Sequence, residues 1–137
     1  MSKLVSVLVI VVVILAGAAC SGKSPASDLK ELRRVHSGDL DVVLLSSDGN
    51  LTHGKDAVTL EFRRGNDLVD VGTVKVGAAM IMAGMPPMLG SVFLERGDVP
   101  GRYKADTDLS MSGGWQLKLE WDGPAGKGST TMQATAE

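Results

Sequence analysis

Four of the six methionines that follow the initiator fall within nine residues, Met80-Ile-Met82-Ala-Gly-Met85-Pro-Pro-Met88; the other two are Met111 and Met132. A thioether is a soft donor that favours Cu(I) and binds hard cations poorly. On an extended backbone Met80 and Met82 point the same way, and Pro86-Pro87 stiffens the chain ahead of Met88. His53, in the turn-like Leu51-Thr-His-Gly54, could add an imidazole, although a lone turn histidine is more often simply solvated. Two other uses of the same methionines stay open. Methionine is a flexible filler of core gaps, and it also makes adaptable contact surfaces for a partner.

Little else in the chain offers chemistry. There is no Gly-x-Ser-x-Gly elbow, no His-Glu-x-x-His pair and no phosphate-cradling glycine loop. Asp39 with Asp41 and Asp106 with Asp108 are paired carboxylates that read as solvated strand edges, which discourage sheet-to-sheet association. No enzyme is expected. His36 lies in a charged lead-in and is given no role. The formal charge is −2, with acids and bases interleaved and no basic block, so nucleic acid is not an expected partner.

The elements that hold these residues begin with an address. Met1-Ser-Lys3 precedes an apolar run from Leu4 to Leu15 interrupted only by Ser6, then Ala16-Gly-Ala-Ala19 and the single cysteine, Cys20. A basic start, a short apolar stretch and small exit residues describe an export signal, and the run is short for a spanning helix, which needs about 20 residues. A lone cysteine at the exit resembles the bacterial lipoprotein signal, whose cleavage leaves a lipid-bearing Cys20. An uncleaved N-terminal anchor is the alternative. Either places the rest of the chain outside the cytoplasmic membrane and tied to it, in the periplasm or at the cell surface. Ser21 hints at the outer membrane where the cell has one. With Cys20 lipidated, the domain has no thiol for a disulfide or a zinc site.

Three segments follow: a signal over 1–19, a tether and short lead-in over 20–38, and one domain over 39–137. In the lead-in, Leu29, Leu32 and Val35 lie three apart, which suits either two or three helical turns or an ordered segment lying over the domain. Beyond it, apolar runs alternate with turn residues: 40–45, 58–63, 69–76, 92–94, 102–108, 115–121 and 129–135. The strand phase slips at Gly72, which predicts a bulge or a strand switch there. Trp115, Leu117, Leu119 and Trp121 alternate with polar residues, so at least one tryptophan should be central to the core. The expected fold is all-β: an immunoglobulin-like antiparallel sandwich of about seven strands, preceded by a signal or anchor helix.

Five segments in order resemble the YtkA-like domain family, which overlaps the FixH-like group. They are Gly54-Lys-Asp-Ala-Val-Thr-Leu-Glu61, Met82-Ala-Gly-Met-Pro-Pro-Met88, Pro100-Gly-Arg-Tyr103, Leu109-Ser-Met-Ser-Gly113 and Trp115-Gln-Leu. Together they cover most of 40–136. The resemblance implies a small extracytoplasmic β-sandwich, found alone as a lipoprotein or membrane-anchored protein, with related domains beside copper-efflux adaptors and in cytochrome oxidase assembly. It implies that Met85, Met88 and Met111 follow a family pattern, whereas Met80 and Met82 belong to this chain. Gly113-Gly114 before Trp115 departs from that pattern. The expected role is copper handling through Met80, Met82, Met85 and Met88, with Met111 and His53 as additions. The rival is a non-metal structural or interaction module of the cell envelope, with an envelope protein as its partner.

Overall fold

The computed structural model describes residues 28–137; the signal, Cys20 and the tether up to Ser27 lie outside them. Nine strands follow in order: β1 Lys30–Ser37, β2 Leu40–Ser46, β3 Gly54–Arg64, β4 Asp67–Leu68, β5 Thr73–Met80, β6 Met88–Arg96, β7 Arg102–Leu109, β8 Gly113–Gly123 and β9 Gly126–Ala136. The sheet runs β1-β2-β3-β7-β6-β5-β8-β9, with β4 beside β3, and every ladder between strands is antiparallel. Its two edges, β1 and β9, approach each other without forming a ladder, Ser37 Oγ lying 3.5 Å from the Ser129 carbonyl oxygen. The result is an all-β sheet curled nearly into a barrel. Among the described residues no helix is long and apolar enough to cross a membrane.

β6 makes the curl possible. Its first residues, Met88 to Gly90, pair with β5, and the rest, Ser91 to Arg96, pair with β7. One strand thereby carries the sheet from one layer to the other.

Six of the seven runs anticipated from the alternation of apolar residues lie wholly in strands and the seventh, 69–76, is strand only from Thr73 onward; two further strands correct the expected count. β4 is a two-residue pairing too short to leave a pattern. β1 is more instructive. The register shifts between Glu31 and Arg33, so Leu32 is the extra residue of a bulge. The bulge resets the alternation, and Leu32 and Val35, three apart, both pack on the core. A spacing of three that suggests a helix is here a bulged strand.

The inward faces of the strands build one core. β7 buries Tyr103, Ala105, Thr107 and Leu109, and β8 buries Trp115, Leu117, Leu119 and Trp121. Both tryptophans are core residues, as their strand pattern predicts. Phe62 meets Tyr103 and Trp121 edge-on, with ring centroids 5.7 and 5.3 Å apart, a favoured aromatic geometry.

Gly72 is the strand switch. Between β4, on β3, and β5, on β8, the chain crosses from one layer to the other with φ +75° at Gly72. A Cβ there would lie 2.6 Å from the Asp122 carbonyl oxygen. Only glycine fits both the dihedral and the close approach. The Tyr103 hydroxyl donates to the Gly72 carbonyl at 2.6 Å and pins the crossing, and burial raises that phenol's pKa.

At the outer wall of β1 and β2, Arg34 donates to Glu31 at 2.7 Å and to Asp41 at 2.9 Å, and His36 adds a bond to Asp41. The Arg34 bond holds the Glu31 carboxyl below its usual range. Burial pushes Asp41 up, but its bonds to Arg34 and His36 outweigh this and lower it. The Asn50 backbone N–H, with Ser46, lowers Asp48. A carboxylate with a depressed folded-state pKa lends stability that is complete above its unfolded value and drains as pH falls through the folded one. Stability should therefore hold above about pH 5 and decline below about pH 4. A urea midpoint at pH 3 below that at pH 6 is the expected result, and Asp41→Asn should narrow the gap.

Candidate metal-binding end

The topology collects the C-terminal ends of β5, β7 and β9 and the N-terminal ends of β3, β6 and β8 at one end of the barrel. Gly54 pairs with Leu109, Met80 with Met88, Ala79 with Gln116 and Gly113 with Ala136. The methionine loop, the turn 110–112, His53 and the C-terminal Glu137 therefore share that end.

Met80, the last residue of β5, and Met88, the first of β6, face each other across the ladder, where opposed side chains sit about 5 Å apart. Met80 is buried, only 5% exposed. Its side chain lies over Gly113, where an added Cβ would come within 3.1 Å of the Met80 methyl. The lack of a side chain at Gly113 thus leaves room for the Met80 methyl. Met88 is half-buried, and the Ser110 hydroxyl donates to its sulfur at 2.9 Å.

Between them the loop 81–87 turns with the Met85 N–H donating to the Met82 carbonyl at 3.3 Å. Met82 packs against the core and Met85 projects from the tip. Met111 lies in the next turn, partly exposed; its carbonyl accepts from the Trp115 indole N–H at 3.0 Å. One buried tryptophan fixes the backbone of the turn that carries both Ser110 and Met111.

His53 reaches the same end but is tethered there. The Glu137 carbonyl oxygen accepts from the His53 backbone N–H at 2.9 Å and lies 2.6 Å from ring Nδ1. Nε2 is left open. The structure thus brings Met80, Met88 and the Met111 turn together, sets Met82 behind them and Met85 outside, and leaves His53 to one side.

Sequence reasoning did not single out Ser110, and it gave Trp115 and Gly113 no part in this site. Ser110 and Gly113 stand inside the quoted Leu109–Gly113 motif, but a hydroxyl directed at a sulfur on the neighbouring strand, 22 residues away, leaves no local pattern.

The donors at this end suit a soft monovalent ion and not a hard divalent one. Among the described residues no group of three or more His, Cys, Asp or Glu could hold a metal. A concavity of about 680 Å³ lies elsewhere, on the outer wall formed by β3, β7 and β6 around Phe93, Asp106 and Asp108.

This architecture, a small antiparallel barrel-like domain with a methionine-lined end, has a family. Residues 34–120 match the YtkA-like family, and the chain belongs to it. No curated protein and no solved structure gives a significant match.

Proposed function

We propose that this chain is a non-catalytic, membrane-anchored extracytoplasmic YtkA-like domain that handles Cu(I) at its methionine end. The carrying observation is the convergence of Met80, Met82, Met85, Met88 and Met111 at one end of the barrel. Soft donors gathered where, among the described residues, no cluster of three or more His, Cys, Asp or Glu competes favour a soft cargo ion. The exposed Met85 would meet an incoming ion first, with Met82 and Met88 behind it. The export-type N-terminus supports the location and the membrane attachment. The division of β6 between two layers supports reading the curled sheet as an immunoglobulin-like sandwich.

A second reading rests on a specific observation. Met80 is buried and the Met88 sulfur already accepts a hydrogen bond, which is how core plugs behave. In that reading the domain is a structural or interaction module of the envelope.

Titration of the full chain with Cu(I) against a competing chelator separates the two. The expected dissociation constant is below about 1 μM, roughly 8 kcal/mol of binding free energy. Changing Met80, Met82, Met85 and Met88 together to leucine, which nearly conserves volume, should weaken it at least about a hundredfold, or roughly 3 kcal/mol. No binding by either protein would establish the structural reading instead.

A further inference from the structure

Thioethers oxidise readily, and this fold sorts its own by access. Residues 28–137 contain no cysteine, and both tryptophans and the single tyrosine are buried. Met80 and Met132 are buried as well, while Met82 and Met88 pack against the core. Two thioethers stand in solvent: Met85, 60% exposed, and Met111, 39% exposed.

Both are displayed on fixed backbone. The Met85 N–H bonds the Met82 carbonyl at 3.3 Å, and the Trp115 indole holds the Met111 carbonyl at 3.0 Å. Their access is a property of the folded barrel and needs no opening of it. Met88, at the same end, is guarded by a different device. Its sulfur accepts from the Ser110 hydroxyl at 2.9 Å, and a lone pair held in a hydrogen bond attacks an oxidant less well.

We propose that Met85 and Met111 are modification sites at which a peroxide converts thioether to sulfoxide, and that this conversion unloads the soft ion from the methionine end. A sulfur lone pair attacks one peroxide oxygen, and the S–O bond forms as the O–O bond breaks. The departing hydroxide takes the proton carried by the transferred oxygen and leaves as water. Sulfur gives up two electrons and the peroxide gains them.

The product offers a hard oxygen where a soft sulfur stood, and Cu(I) prefers the sulfur. At Met85 and Met111 the new oxygen stays hydrated, so the barrel keeps its packing. At Met80 or Met132 the same dipole would be buried without a partner, which is unfavourable. Burial thus confines the chemistry to the two outermost thioethers. The unloading rests on the copper reading; the choice of sites rests on access alone and stands without it.

The full chain, exposed to graded hydrogen peroxide, quenched, digested and mapped by fragmentation mass spectrometry, provides the test. Met85 and Met111 should oxidise at least about tenfold faster than Met80 and Met132. The urea midpoint should stay near the parent's while only those two are modified. Ser110→Ala should raise the Met88 rate at least about threefold and leave the Met85 rate unchanged. Equal rates at all methionines, or Met80 leading, overturn the assignment of sites, and an unchanged Met88 rate overturns the guard. Cu(I) affinity of the chain modified at Met85 and Met111 should be at least about tenfold weaker than the parent's. Unchanged affinity overturns the unloading and leaves the copper reading intact. A parent chain that binds no Cu(I) overturns the copper reading and the unloading together, and the oxidation rates alone then decide the sites.

Discussion

Changing Glu61 to alanine is expected to cost about 3–5 kcal/mol of stability, the range for stripping one partner from a buried charge cluster. Glu61 is fully buried. Its Oε2 accepts from Arg63 Nε at 2.7 Å and its Oε1 from Arg102 Nε at 2.8 Å. Arg102 goes on to bond Asp98 at 3.1 Å. Burial works against the Arg102 charge, but Glu61 and Asp98 more than compensate and raise its pKa. Removing the carboxylate leaves a guanidinium only 13% exposed without its closest counter-ion. A domain of this size has about 5–15 kcal/mol in total, so the variant should unfold at a much lower urea concentration. A triple variant with Glu61, Arg63 and Arg102 all apolar should recover most of the loss, because isosteric apolar replacement of buried ion clusters is often neutral. If the single variant unfolds like the parent, the cluster is not a structural tie between β3 and β7.

Trp115→Ala should be comparably severe, about 3–5 kcal/mol for a large buried aromatic. The indole is fully buried, and Gly90 lies so close that a Cβ there would stand 3.1 Å from the ring. The same substitution removes the N–H that holds the Met111 carbonyl. Trp115→Phe keeps most of the volume and loses that bond, so it should cost less stability while freeing the turn 110–112. Amide hydrogen exchange confined to that turn, with an unfolding midpoint near the parent's, is the expected signature. Protection unchanged in the turn would show that the indole bond does not order it.

What was legible in the sequence follows from the range of the forces involved. Strict alternation over Trp115 to Trp121 gives β8 and its buried face, and the phase slip at Gly72 gives the switch between layers. Both signals are local. β1 was hidden because its bulge at Leu32 replaces a spacing of two by one of three. The Glu61 cluster shows only half its pattern locally, in Arg63 two residues on; Arg102 arrives through the β3–β7 register. The methionine segment stands out by composition, yet which thioethers turn inward depends on the Met80–Met88 pairing and on space above Gly113. Seven short runs suggested about seven strands, but no local pattern could reveal that β6 would divide its pairing between layers and curl the sheet.

The central claim is that thioethers at one end of this barrel hold a soft ion. X-ray absorption at the copper edge, on the full chain loaded with one equivalent of Cu(I) and washed free of excess, tests it most directly. The account predicts retained copper with a first shell dominated by sulfur and at most one nitrogen, from His53. A shell of nitrogen and oxygen alone, or copper removed by the wash, would contradict it.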